Sequence, residues 1–527
     1  QVLLMSTEIK YDQTNEVKLT EASQNSIEVL EIPAKPVSSG CHSKLNKEKS
    51  IKSLNSKNEI LDKFRKDYPL GPHDKPQSMC PAFGSLRVGL RMRRVATILS
   101  GSACCVYGLT FVSHFYGARR SVGYVPFSSE TLVSGKLFED IRDSVHKTAD
   151  PSKYDAIIVT NLCVPTASGV PLRLLPKEIN GVRIIGIDVP GFGVPTHAEA
   201  KDVLAGAMLN YARKEAEKGP VATPLSGKSD RPTVALLGEM FPADPIGIGG
   251  ILSYLGLAAG PVVPCREWRE LYGALDCSLV SAIHPFYTAS IREFEEAGRP
   301  ILGSAPVGTE GTDDWIQSVG EILNIKKNMI STCKNEIIPK IKEGLKLNKI
   351  KGTITLSGYE GSELLVARLL TESGAKIPYV GTACPKTKWS QKDKEWLEAK
   401  GTMVKFRASL EDDCAAVEAI KPNLAIGTTP VVQKGKELGI PSLYFTNLIS
   451  ARPLMGVAGA GSLAQVVNAA MKNKKRMANM KSFFSGVGKD DTSGIWEKSP
   501  NLKPQFREHN LKKIEKRKKA AKAAEMI

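Results

Sequence analysis

The sequence predicts an α/β protein made of three successive parallel-sheet blocks, and three observations carry that prediction. From about Arg87 onward, short apolar runs alternate with helical stretches, the pattern of βαβ units. At 527 residues the chain is too long for a single core and calls for two to four domains. A hydrophobic share of 42% with 24% charged residues is that of an ordinary globular protein, which excludes a disordered or fibrous class.

Residues 1–70 are rich in Lys, Ser and Asn and lack a sustained apolar period, so they read as a loosely ordered polar arm with a short helix at Glu59–Arg65. The first α/β domain, 71–230, has strand signals near Arg94–Leu99, Ala156–Val159 and Val182–Asp188. A polar linker from Glu215 to Arg231, broken by Gly219-Pro220, Pro224 and Gly227, closes it. The second domain, 231–348, has strands at Thr233–Gly238, Ser278–Ile283 and Pro300–Gly303, then one Lys-rich helical stretch from Asp313 to about Leu347. The third, 349–471, has strands at Gly352–Ser357, Ile377–Val380, Met403–Phe406, Leu424–Gly427 and Ser442–Phe445. Residues 472–527 form a basic helical tail.

Ten cysteines are too sparse for a disulfide scaffold, and no secretory signal is expected, so the chain is assigned to a reducing cytoplasm. Gln1–Leu4, ahead of Met5, read as upstream translation. Two uncharged runs, Val95–Val112 and Ile246–Val263, hold too many Gly, Ser and Thr residues or Gly and Pro residues for membrane spans, and both fit buried strand-to-helix segments better. The net charge of +17 is uneven: from Lys472 onward there are 16 Lys/Arg against 6 Asp/Glu. The run Lys512–Lys519 could attract nucleic acid. With no zinc finger, RNA-binding aromatic box or helix-turn-helix beside it, a solvated helix is the better reading.

Several chemistries are excluded. Gly488-Lys489 fails as a Walker A loop on both flanks, so this chain is not expected to bind or hydrolyse ATP. The clusters Gly247/Gly249/Gly250 and Gly456/Gly459/Gly461 are incomplete dinucleotide fingerprints. No HExxH, GxSxG or His–Cys metal spacing occurs.

Cysteine is where the chemistry gathers. Cys80 precedes Pro81, Cys104-Cys105 follow the Arg94–Leu99 strand signal, and Cys163 follows another strand signal at Tyr154–Thr160. Chain leaving the carboxyl end of a parallel strand is where open α/β sheets bind ligands, and thiolates are the usual holders of iron–sulfur clusters. Nearby Gly and Pro allow backbone to approach a bulky group. Cys277, Cys333 and Cys414 read instead as small buried hydrophobes. His284 and Tyr287, after the Ser278–Ile283 strand, are candidate proton donors, and a hydrogen-bonded core histidine is an equal alternative at 284. Glu239 and Asp244 either line a pocket or cap the next helix.

The stretches Cys80-Pro81-Ala82-Phe83-Gly84, Gly101–Tyr107, Thr160–Pro165 and Ile187–Gly193 resemble the nitrogenase-like component family, and the likeness runs from about residue 75 to 470. The resemblance implies three Rossmann-like domains around a cleft, with first-domain cysteines holding a [4Fe–4S] cluster shared with a homologous partner subunit. Carried onto this sequence, the ligands are Cys80, Cys105 and Cys163. Cys104 competes with Cys105. The Cys-x-Tyr pattern of light-independent protochlorophyllide reductase fits Cys105-Val106-Tyr107, whereas nitrogenase spaces its tyrosine one residue further, which favours Cys104. Three cysteines leave one iron for a ligand from the partner.

The resemblance further implies ATP-dependent two-electron reduction of the ring B C7=C8 double bond of chlorophyllide a, in bacteriochlorophyll biosynthesis. Its implied assembly is a heterotetramer of two copies of this chain and two of a homologous subunit Z. A transient ATP-hydrolysing iron–sulfur subunit X would deliver the electrons. Ring D reduction of protochlorophyllide and a non-catalytic cluster-assembly scaffold are the alternatives. In the second domain, Ile283-His284-Pro285-Phe286 carries proline where nitrogenase's active-site cofactor needs a thiolate, which argues against nitrogen fixation.

Overall fold

Three mainly parallel sheets succeed one another along the chain in the computed structural model, which describes residues 80–115, 122–219, 221, 231–238, 244–450, 452–484, 512 and 515. The expected polar arm, Glu239 and nearly all of the basic tail beyond 484 lie outside the described residues. Helix α1 (Pro81–Arg91) leads into β1 (Val95–Ser100), followed by α2 (Ala103–Phe115), β2 (Val122–Val125), β3 (Ala156–Asn161) and the short α3 (Cys163–Ala167). The two-residue β4 (Glu178–Ile179) and β5 (Val182–Asp188) complete a sheet of order β2-β1-β3-β5-β4, in which only β4 runs antiparallel. Every residue of β1 and β3 is buried, which is why their sequences read as uninterrupted apolar runs. Strands β2 and β4 escape sequence detection because β2 alternates without a clear apolar face and β4 is too short.

Helix α4 (His197–Lys218) crosses to the second sheet, β6 (Thr233–Leu237), β7 (Ala258–Val263), β8 (Leu279–Ala282) and β9 (Ile301–Leu302), in the order β7-β6-β8-β9. The apolar run Ile246–Val263 departs from expectation. It is a helix followed by a strand, α5 (Pro245–Tyr254) and then β7, the reverse of the strand-to-helix order. Asp244 starts that helix by accepting a hydrogen bond from the Gly247 N–H at 3.1 Å, and Pro245 occupies its first turn, so Asp244 is a helix cap. The Lys-rich stretch is likewise two helices, Gly308–Ile322 and Lys327–Leu347, parted where Asn324 takes a φ of +53°. The third sheet joins β10 (Thr353–Gly358), β11 (Lys376–Thr382), β12 (Met403–Phe406), β13 (Leu424–Gly427) and β14 (Ser442–Tyr444) in the order β12-β11-β10-β13-β14.

The second sheet is the shared wall. Val234, Leu236 and Leu279 pack into a core with Ile354, Leu356 and Leu424 of the third sheet. Their alternating neighbours Ala235, Leu237 and Val280 pack instead with Ile158 and Ile185 of the first and with Met208 of α4. One strand thus serves two cores through its period of two.

A buried ionic knot joins the first and third sheets. Glu360, in the loop after β10, lies with one carboxylate oxygen 3.2 Å from Lys201 Nζ and 3.3 Å from His197 Nε2, while Thr446 Oγ1 donates to the other at 3.1 Å. His197 and Lys201 are fully buried and Glu360 nearly so. Burial drives the Glu360 pKa up, but Lys201 and then His197 oppose it and hold the carboxylate well below the ordinary range. Burial lowers the His197 pKa, opposed in part by the Glu360 carboxylate. Gly84 is required where α1 meets α4, because a Cβ there would sit 1.8 Å from the His197 carbonyl oxygen.

Candidate functional site

Reading the first sheet outward, β1 and β3 are neighbours while β2 and β5 extend in opposite directions, so the chain reverses its order between β1 and β3. Such a switch point opens a crevice beyond the carboxyl ends of the strands. Ser100 pairs in register with Asn161, and the cysteine segments leave the sheet just past that pair. Cys104 and Cys105 lie in the first turn of α2, Cys163 is the first residue of α3, and Cys80 is the residue capping α1. Helix starts present backbone N–H groups, which favour thiolate over thiol. The turn after β1 needs glycine: a Cβ on Gly101 would come within 2.4 Å of Leu162, the residue before Cys163.

Cys80, Cys104 and Cys105 are exposed and Cys163 is half-buried, all as free thiols. Burial of its thiol raises the Cys80 pKa, opposed in part by the Ala82 and Phe83 amides and reinforced by Cys163. Cys105 is also raised, by burial, then by the Cys104 thiol, then by Cys80 and Cys163. Cys80, Cys105 and Cys163 therefore sense one another across a common mouth. The Gly191 N–H, from the loop after β5, donates to Cys163 Sγ at 3.1 Å.

Among the described residues no three His, Cys, Asp or Glu side chains are close enough to hold a single metal ion. Ser100 Oγ and Asn161 Oδ1, at the ends of β1 and β3, are buried with no hydrogen-bond partner among the described residues. The rim is apolar: Tyr107, Val164 and Phe192, each within two residues of a cysteine or of Gly191, are exposed by 73%, 37% and 66%. Exposed apolar side chains near the cysteines are a feature of surfaces that bind other proteins.

Thiols must lose their protons to bind metal. The Cys80 and Cys105 pKa values are raised, so if these thiols take up iron they must release protons, and uptake is then expected to strengthen as the pH rises. Anaerobic reconstitution titrations at several pH values test this, and a flat profile would contradict it.

The other sequence candidates are dispersed. His284 and Tyr287 follow β8 but are only 1% and 0% exposed, and the His284 ring stacks on Phe286 at 5.4 Å. Cys277 and Cys333 are fully buried, with burial pushing both thiols up to about 11, while Cys414 is half-buried. Sequence reasoning missed Asp188 and Asn161, which pair across β5 and β3 beneath Cys163. A charged residue closing the largely apolar run Val182–Ile187 was the available signal, and Asp188 is itself exposed.

Among the described residues no helix is long and apolar enough to cross a membrane. The family model of nitrogenase component 1 type oxidoreductases matches residues 80–472. The 52.5 kDa chain of chlorophyllide reductase from Cereibacter sphaeroides is 69% identical over 495 residues, covering 94% of this chain and 98% of its own length. The corresponding chain from Rhodobacter capsulatus is 70% identical over 469 residues, covering 89% and 94%. A solved structure of nitrogenase Cp1 at pH 6.5 superposes with a TM-score of 0.61 at 17% identity, over 77% of this chain and 94% of that one, a likeness of fold.

Proposed function

The chain belongs to the nitrogenase component 1 type oxidoreductases, and from that premise we propose that it is a subunit of the catalytic component of a chlorophyllide a reductase. The likeness to chlorophyllide reductase chains along nearly the whole length carries this reading. The reaction adds two electrons and two protons across the ring B C7=C8 double bond of chlorophyllide a, with ATP as the energy source, on the route to bacteriochlorophyll.

The family carries metal clusters and assembles with a partner subunit. In the finer reading, Cys80, Cys105 and Cys163 hold a [4Fe–4S] cluster, and the homologous subunit Z supplies the fourth ligand within a heterotetramer of two and two. A cluster bound there supplies low-potential one-electron transfer. The exposed thiols and apolar rim support a site completed by a second protein. Cys105 is favoured over Cys104 because the Cys105-Val106-Tyr107 spacing matches the Cys-x-Tyr pattern of light-independent protochlorophyllide reductase.

The chain's own residues set the conditions for the chemistry. The Gly191 N–H donates to Cys163 Sγ and fixes where that sulfur sits. Tyr107, Val164 and Phe192, once covered, exclude water from the crevice. Subunit X hydrolyses ATP and docks transiently, one electron at a time. Domains at 71–230, 231–348 and 349–471 surround the pigment cleft in this reading. His284 and Tyr287 are carried as proton donors only if the interface burying them opens toward pigment, since a donor must come within hydrogen-bond reach of the carbon it protonates.

The test is an anaerobic absorption assay with this chain, subunit Z, subunit X, ATP and dithionite, offering chlorophyllide a and protochlorophyllide separately. A red-shifted bacteriochlorin band from chlorophyllide a is expected. Consumption of protochlorophyllide alone would assign the chain to ring D reduction. A cluster-loaded complex that consumes neither would make it an assembly scaffold.

A further inference from the structure

Asp188 ends β5 directly opposite Asn161, which ends β3. Its Oδ1 accepts from Asn161 Nδ2 at 3.0 Å and from Thr166 Oγ1 at 3.3 Å. Thr166 belongs to the short helix that Cys163 begins. The same Asn161 Nδ2 also donates to the Val170 carbonyl at 3.1 Å, pinning the chain just after that helix. The backbone adds a further tie, with the Val189 N–H donating to the Asn161 carbonyl at 3.0 Å. Three residues beyond Asp188, the Gly191 N–H meets Cys163 Sγ.

One carboxylate oxygen therefore fastens together two segments that must agree in position: the helix carrying the thiol and the loop carrying the N–H aimed at it. A helix of five residues has no more than one internal turn to hold its shape, so its orientation depends on such external ties. Asn161 is fully buried, and without Asp188 its amide loses one of its two acceptors. We propose that Asp188 is a positioning residue for the Cys163 thiolate, holding it on the Gly191 N–H and toward Cys80 and Cys105. The inference rests on the reading of Cys163 as a cluster ligand. Groups that orient metal ligands typically change metal affinity by about 10–100-fold when removed.

The experiment compares wild type, Asp188→Ala, Asp188→Asn and Cys163→Ser, each coexpressed with its partner and purified anaerobically. Iron content, the electron paramagnetic resonance signal of the reduced cluster and the rate of iron release to a ferrous chelator are measured. Asp188→Ala is expected to bind iron but release it about tenfold faster, with a shifted or broadened signal. Asp188→Asn keeps an acceptor oxygen for Asn161 and Thr166 and should restore both release rate and signal to near wild type. Wild-type release and an unchanged signal in Asp188→Ala would overturn the proposal. Should that variant not fold, Thr166→Val tests the same tie, with release about 2–3-fold faster expected and an unchanged rate and signal counting against it. Full iron in Cys163→Ser would instead overturn the ligand reading, which keeps the two failures distinct.

Discussion

Replacing Cys163 with serine in the assembled complex is expected to remove iron and turnover together. Serine is nearly isosteric but its hydroxyl is a poor iron ligand, so the cluster loses one of its attachments while the fold is kept. The half-buried thiol makes no core contact that serine would vacate at great cost, and the change should leave thermal unfolding of the iron-free chain within about 1 kcal/mol of wild type. Turnover should fall by roughly two orders of magnitude or more, since loss of groups that merely support a metal ligand already costs 10–100-fold. Cys105→Ser should match it, whereas Cys104→Ser should retain most of the iron. Iron determination and pigment turnover on the same preparations decide the matter: full iron with full activity in Cys163→Ser would make that residue packing.

The second large effect is on stability. Glu360→Gln removes the carboxylate that pairs with the buried Lys201, and removing one partner of a buried pair typically costs about 3–5 kcal/mol. The urea midpoint of the first unfolding transition should fall accordingly. A double change, Glu360→Leu with Lys201→Met, should recover much of that loss, because apolar replacement of a whole buried pair is often neutral. A Glu360→Gln protein as stable as wild type would mean the carboxylate is not ionised. The pH dependence follows from sign. Glu360 has a lower pKa folded than unfolded, so its contribution is present above about 4.5, its ordinary value, and is lost as the pH falls toward the depressed one. Glu360→Gln should lack that part of the acid sensitivity. Other buried carboxyls oppose it: Asp202, raised to about 6, and Glu363 and Asp413, raised to about 7, all by burial, favour the folded chain most at acidic pH and less as they ionise.

How much could be read in advance followed the physics of each element. Strands β1, β3, β10 and β13 are buried almost throughout, and sustained burial writes itself as an apolar run that needs no partner to interpret. The cysteines were legible for a related reason, since each sits where a helix begins and Gly or Pro mark that change locally. Strand β7 was hidden because Ala258–Val263, with its Gly and Pro, continues the apolar texture of the preceding helix, and only the left-handed Gly256 divides them. The Glu360 knot had no local signal. Lys201 and Glu360 stand 159 positions apart, and each alone looks like an ordinary surface charge. His284 was rightly placed after a strand, yet position in the chain did not reveal that Phe286 and the loop at Gly361 would close over that end.

The crowding of the cysteine mouth has a consequence for the chain's shelf life in air. Oxidation by peroxide and exchange into disulfides begin from the thiolate, and they slow as the ionised fraction shrinks. Cys80 and Cys105 are exposed to oxidants, but burial of their sulfurs and the neighbouring thiols keep them predominantly protonated near neutrality. The same features that make these thiols reluctant to ionise should therefore slow their oxidation in the free chain.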